Sequence, residues 1–178
     1  QEKIRQASVL IVGCGGLGSM VALFLAGAGV GKLTLIDADS VEVSNLHRQL
    51  AFRESDLDKP KVEALKNQLL ALNSEIAVST CLGRFGDDVE SDTKLVGDTD
   101  IVIDATDNLA ARHAIERLTC ALAKPWVMGA AARLHGQVVA FSRSRVEGCY
   151  RCMAPSEDDS RGFDCRDEGI LGPVVGVI

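Results

Sequence analysis

The chain has 178 residues, 47% hydrophobic and 25% charged, with a formal net charge of −6. That fits one globular domain with a sizeable core and argues against disorder. The acidic balance speaks against a sequence-independent grip on nucleic-acid phosphates. No apolar run reaches the ~20 residues that cross a bilayer, and Gln1 to Arg5 lacks a signal peptide's layout, so the cytoplasm is the expected location.

Ala7 to Val12 is a short apolar run ending at a glycine cluster and reads as a buried strand. Leu17 to Ala28 is apolar nearly all round, which predicts a buried helix closed by Gly29 and Gly31. Leu33 to Ile36 is the next strand, and Asp37 ends it. From Ala38 to Lys59 the period is lost, predicting a long, polar, functional loop. Pro60 can open a helix that carries Val62, Leu65, Leu69 and Leu72 at helical spacing. Ile76 to Val78 and Ile101 to Ile103 are further strands, the second ending at Asp104. Leu109 to Leu122 predicts a helix, Trp126 to Met128 a strand, and Gly136 to Phe141 a strand of antiparallel sense. Strands alternating with helices predict an α/β, Rossmann-like fold: a mostly parallel sheet, helices on both faces, and an antiparallel extension. The chain breaks off within the apolar stretch Val174 to Ile178, which reads as a trimmed end.

Gly13-Cys14-Gly15-Gly16-Leu17-Gly18 satisfies G-x-G-x-x-G between a strand and a helix. Such glycines let backbone N–H groups approach a ligand, and the helix N-terminus favours its negative charge. Asp37 lies about 20 residues on, at a strand end, where a carboxylate can accept ribose hydroxyls. Taken alone, this is a dinucleotide fingerprint, and NAD would be the first ligand to consider.

The residues that follow point elsewhere. Asp39, then Ser44, Asn45 and Arg48, then Lys61 at a helix start, form a set that a nicotinamide site does not need. A site that transfers a nucleotidyl group must neutralise a triphosphate and stabilise charge on the α-phosphate as pyrophosphate departs. Arg48 offers a bidentate fork, Lys61 a point charge, and Asn45 a hydrogen-bonding amide. The bland alternative is that Arg48 and Lys61 only solvate the surface. Asp104-Ala105-Thr106-Asp107-Asn108 follows an apolar strand, and strand C-termini face the ligand crevice of open α/β sheets. Asp107 is thus placed to hold Mg²⁺ with help from Asn108, or to cap the next helix, as Asp104 and Asn108 also could.

The ordered set resembles the MoeB/ThiF/HesA family, the bacterial relatives of ubiquitin-activating enzymes. It comprises Gly13 to Gly18, Asp37-Ala38-Asp39, Asn45 to Gln49, Lys59-Pro60-Lys61, Asp104 to Asn108 and Cys149-Tyr150-Arg151-Cys152. The resemblance covers essentially the whole chain. It implies Mg-ATP-dependent adenylation of the C-terminal glycine of a ubiquitin-like sulfur-carrier protein, in molybdopterin or thiamine-thiazole synthesis. A homodimer and a sulfur-donor protein are also implied. Asp37 is assigned to the ribose, Asn45, Arg48 and Lys61 to the phosphates, and Asp107 to Mg²⁺. Gly129 to Gly136, with Arg133, would lie near the carrier tail. Two departures stand out: the family's N-terminal arginine segment and its second Cys-x-x-Cys pair both fall outside residues 1–178, so the single domain reads as truncated at both ends. The rival readings are an NAD-dependent oxidoreductase and a carrier-binding pseudo-enzyme without catalysis.

Of the six cysteines, Cys14, Cys81 and Cys120 sit in apolar stretches and read as small buried hydrophobes. Cys149 and Cys152 could be a redox pair, incidental thiols, or half of a zinc site, and the resemblance favours structural Zn²⁺. Cys165 follows the polar stretch Pro155 to Asp164; the resemblance offers it a sulfur-handling role, and a surface thiol without a role is the alternative. His113 and His135 read as structural, and Trp126 and Phe141 as core.

Overall fold

The computed structural model describes residues 1–132, 134–143 and 148–153. Twelve elements follow in order: α1 (Glu2–Arg5), β1 (Ser8–Val12), α2 (Gly16–Ala28), β2 (Lys32–Asp37), α3 (Lys61–Leu72), β3 (Ala77–Leu82), α4 (Val89–Gly97), β4 (Ile101–Asp104), α5 (Leu109–Ala121), β5 (Trp126–Ala132), β6 (His135–Phe141) and α6 (Tyr150–Met153). They build one sheet of order β3-β2-β1-β4-β5-β6. The first five strands are parallel, and β6 runs antiparallel to β5, so the α/β expectation holds, antiparallel extension included.

The central strand shows why the sequence reads as an unbroken apolar run. Successive side chains of β1 point to opposite faces, and both faces are covered. Val9 and Ile11 join a core with Ala22 and Ala26 of α2 and Val62, Leu65 and Leu69 of α3. Leu10 and Val12 join a second core with Val96 of α4, Ile115 and Leu118 of α5, and Trp126 and Met128 of β5. Trp126 stacks on Phe141 at 4.4 Å between ring centroids, tying β6 to β5. No helix of the described residues is long and apolar enough to cross a membrane.

Several expectations need correction. Although α2 is apolar nearly all round, only one face is buried; Ala22 and Ala26 face the sheet while Phe24 is 68% exposed. The stretch after β2 is no simple polar loop. It contains 3-10 turns at Val43–Asn45 and Glu54–Asp56 and buries Val41, Ala51 and Phe52 in the first core. Its apolar residues are irregularly spaced because each turn, rather than a regular helix face, aims them inward. Of the three cysteines expected to be buried, Cys14 is buried, but Cys81 and Cys120 are partly exposed. Helices α1 and α4 were not apparent from apolar periodicity.

Candidate active site

Strand order places the site. The chain proceeds outward from β1 to β2 and β3 on one side and from β4 to β5 on the other, so β1 and β4 are neighbours whose following loops diverge. Their C-terminal ends form the switch-point crevice where open α/β sheets bind ligands. The glycine turn after β1 and the Asp104–Asn108 turn after β4 meet there. Gly13 has φ +92°, and a Cβ on it would stand 2.7 Å from the Ala105 carbonyl oxygen. A Cβ on Gly18 would stand 1.8 Å from the Gly13 carbonyl oxygen, so this glycine closes α2 onto the turn. Gly15 caps α2 without a side-chain hydrogen bond, leaving the first-turn N–H groups as the unfilled donors that every helix start presents. Gly16 opens that turn.

Asp37 ends β2 directly beside these donors. Its Oδ2 accepts the Cys14 N–H at 2.6 Å and its Oδ1 the Asp39 N–H at 2.7 Å. Burial raises its pKa above the ordinary carboxylate value, against the pull of those two backbone bonds and of Lys61. Each oxygen keeps a lone pair for a further donor, as ribose binding requires.

Lys61, the first residue of α3, is brought alongside by the pairing of 39–41 with 58–61. Val41 N–H donates to the Lys59 carbonyl and Asp58 N–H to the Val41 carbonyl, with a bridge between Ser40 and Pro60. Lys61 N–H then donates to the Asp39 carbonyl, and its Nζ donates to Asp39 Oδ2 at 2.8 Å. The ammonium is buried while Asp39 is half exposed, so a fixed cation sits beside the crevice with a carboxylate partner that water can receive.

The 43–49 segment forms the adjoining wall. Asn45 is buried; its Nδ2 donates to Ser44 Oγ at 2.9 Å and its Oδ1 accepts from Gln49 Nε2 at 3.1 Å. Ser44 Oγ in turn donates to Glu42. Gln49 is itself buried, 3.7 Å from where a Cβ on Gly15 would stand, and its Oε1 has no hydrogen-bond partner among the described residues. Arg48 is partly exposed; its Nη1 donates to the Ser44 carbonyl at 3.1 Å and meets His47 Nε2 at 2.8 Å.

After β4, Asp107 is exposed at the tip of its turn. Helix capping falls to Asn108, whose Oδ1 accepts the Ala111 N–H at 2.8 Å, so Asp107 is not the cap. Asp104 is fully buried and bonds Thr106, and its carboxylate faces Arg112. Burial pushes Asp104 up to about 6, with Arg112 and the Thr106 bonds pulling the other way. Gln49 and Thr106, quoted within motifs of the sequence but given no role there, join the site, as does Arg112, which no motif contained.

Cys149 and Cys152 lie apart from this crevice, with their sulfurs 3.7 Å apart. Tetrahedral zinc with Zn–S near 2.3 Å spaces its sulfurs by about 3.8 Å, so the pair fits two vertices of such a site. Among the described residues no third histidine, cysteine or carboxylate completes a metal cluster. A hydrogen bond with Glu116 is the main cause of a raised Cys149 pKa, and Arg151 Nε donates to Glu116 at 3.1 Å. Cys165 and Arg133 lie outside the described residues.

The family model described as ThiF family matches residues 1–178. The chain is 40% identical over 178 residues to the sulfur carrier protein ThiS adenylyltransferase of Escherichia coli, covering all of this chain and 70% of that protein. It is 40% identical over 179 residues to the molybdopterin-synthase adenylyltransferase of Salmonella typhimurium, again covering all of this chain and 70% of that protein. A crystal structure of Escherichia coli MccB with ATP superposes with a TM-score of 0.82 at 28% identity, over 99% of this chain and 53% of that one. The chain thus spans about half of the MccB chain.

Proposed function

Since the chain belongs to the ThiF family, we propose that it is an adenylyltransferase domain that uses ATP to activate the C-terminal glycine of a ubiquitin-like sulfur-carrier protein. The observation that carries this reading is the convergence at one crevice of the glycine turn, Asp37, the buried Lys61 ammonium and the Asp107 turn. An NAD site would use the first two; Lys61 adds the positive charge that a triphosphate needs, and Asp107 a carboxylate for the cation that accompanies it.

In this reading the α2 first-turn N–H groups and Asn45 receive phosphate oxygens, and Asp37 accepts the ribose hydroxyls. Lys61 and Arg48 offset the charge that builds as the carrier carboxylate attacks the α-phosphorus. One P–O bond forms to the carboxylate, the α–β bridging P–O bond breaks, and pyrophosphate leaves with its electron pair. The exposed Asp107 carboxylate, with Asn108 beside it, would hold Mg²⁺, which when bound screens the phosphate charge. Asp39 releases Lys61 to the phosphates as they arrive, its own carboxylate turning to solvent. Gly129, at the centre of β5, would lie near the route of the carrier tail, as the family resemblance implies for 129–136.

Cys149 and Cys152 supply two of the four ligands of a structural zinc site. Zinc content and thiol alkylation of the full-length protein test this, and freely alkylated thiols with no zinc would exclude it. The homodimer follows the family resemblance and is tested by sedimentation. Cys165 has no part in phosphorus chemistry and acts, if at all, in the later sulfur step with a sulfur-donor protein, so Cys165→Ala keeps exchange.

The deciding experiment is ATP–pyrophosphate exchange by the full-length protein with candidate carriers, alongside carrier mass spectrometry and the Asp107→Ala variant. The expected result is carrier-dependent exchange that Asp107→Ala reduces by about 100-fold or more, with the melting temperature unchanged. Near-normal exchange in that variant would exclude the site assignment. Carrier-independent NAD binding without exchange would favour the oxidoreductase.

A further inference from the structure

Thr106 immediately precedes Asp107, and each of its polar groups is engaged. Its N–H donates to Asp104 Oδ1 at 2.9 Å, and its hydroxyl donates to the same oxygen at 2.7 Å. Its carbonyl accepts from Arg112 Nη2 at 2.8 Å. Thr106 is therefore held on both sides: the peptide before it and its hydroxyl are tied to the end of β4, and the peptide that joins it to Asp107 is tied to α5. The turn is fixed at its start as well, because the Ala105 carbonyl abuts Gly13 and the Ala105 N–H donates to the Val12 carbonyl at 2.8 Å.

This grip is costly to keep. Asp104 is fully buried, its Oδ2 stands 3.8 Å from Arg112 Nε, and among the described residues neither atom has a hydrogen-bond partner. Buried charges with unfilled hydrogen bonds destabilise a fold relative to apolar residues of the same shape. Helix capping does not explain the expense, since Asn108 already caps α5. What the arrangement does secure is the direction of the exposed Asp107 side chain.

We propose that Thr106, clamped between Asp104 and Arg112, is the positioning residue that aims the Asp107 carboxylate at the nucleotide's metal. This rests on the reading that Asp107 serves a magnesium nucleotide. Asp107 is exposed and would otherwise sample many directions; fixing the peptide plane before it limits where its carboxylate can reach. A misplacement of about 1 Å can cost about 100-fold in rate.

The test compares Thr106→Val, which keeps shape and drops the hydroxyl, with Thr106→Ser, which keeps the hydroxyl, in the full-length protein. Asp107→Ala is the control. Two readouts are needed: the kcat and KM for ATP in pyrophosphate exchange, and calorimetric binding of a non-hydrolysable ATP analogue with and without Mg²⁺. Thr106→Val should lower kcat by about 10- to 100-fold with KM for ATP changed by less than about threefold. It should also shrink the gain in analogue affinity that Mg²⁺ confers, in a protein that stays folded although the lost bond to buried Asp104 lowers its melting temperature, and Thr106→Ser should restore both kinetic and Mg²⁺ properties. If Thr106→Val unfolds, Arg112→Lys carries the same test, because it keeps the charge facing Asp104 but loses the planar fork that reaches the Thr106 carbonyl. Wild-type kcat and Mg²⁺ dependence in the valine variant, with Asp107→Ala inactive, would overturn the clamp alone. Wild-type exchange in Asp107→Ala would overturn the site reading beneath it.

Discussion

Replacing Gly18 with alanine adds one methyl group at the joint between the glycine turn and α2. That carbon would lie 1.8 Å from the Gly13 carbonyl oxygen and 3.2 Å from Ala105 Cβ. Real Cβ atoms keep at least 3.0 Å from such neighbours, so the helix must retreat by about 1.2 Å. The obstructing atom is backbone and has no rotamer to escape into. Gly27→Ala, in the same helix, is the natural comparison, since its new Cβ meets nothing nearer than Leu72 Cδ2 at 4.0 Å. Both substitutions gain about 1 kcal/mol of helix propensity, and only Gly18→Ala pays about 1–3 kcal/mol for overpacking. At about 2–4 °C per kcal/mol for a domain of this size, thermal melting should separate the two variants, with Gly18→Ala lower. The retreat also pulls the first-turn N–H groups away from the crevice, so pyrophosphate exchange should fall by about 100-fold in Gly18→Ala and stay unchanged in Gly27→Ala. Equal melting temperatures and equal exchange rates would refute the argument that Gly18 sets the seating of α2.

Lys61→Met keeps the buried stem and removes the ammonium from beside the half-exposed Asp39. Stability should change by less than about 1 kcal/mol while exchange falls by about 100-fold or more; a large drop in melting temperature with exchange preserved would mean that the pair is structural. Asp104 gives a pH signature. Burial raises its folded-state pKa from 3.8 to about 6, so its proton stabilises the folded state below pH ~4, and that contribution, about 3 kcal/mol, is lost as pH rises through about 6. Asp104→Asn lacks this titration, so its stability relative to wild type should improve by about that amount between pH 4 and pH 8 in urea unfolding. A difference that stays constant across that range would contradict the burial argument.

The strands that build the centre of the sheet were legible because both faces are covered, so Val9 to Val12 is wholly apolar and Leu33 to Ile36 has Thr34 as its one polar residue. Helix α4 was not, because only Val96 is fully buried among its apolar residues and acidic side chains dominate its first turn. Its readable signal was the N-cap, where Asp88 accepts the Ser91 N–H at 3.1 Å. Strand β3 lies at the sheet edge and leaves Leu82 62% exposed, which weakens the apolar run from which its length could be read. In the site, the glycine turn, Asp37 and Lys61 were legible as residue types in order along the chain. Their connections were not, since Lys61 meets Asp39 across 22 residues and Gln49 reaches the turn only because the 43–49 segment folds over it. The Thr106 clamp was hidden for another reason: threonine and arginine there look like ordinary turn and helix-surface residues until Asp104 is seen to be buried between them.

Cys14 occupies the second position of the glycine turn and faces two ways. Its N–H meets Asp37 on the crevice side, while its side chain is buried in the first core with its pKa pushed well above the ordinary thiol value, chiefly by burial. Only a thiolate reacts readily with alkylating reagents, so modification of Cys14 must wait for the turn to come apart. The exposed Cys152 has no such barrier. The rate of Cys14 labelling is therefore an intrinsic clock for opening of the strand–helix joint, and nucleotide that ties the turn together should slow it.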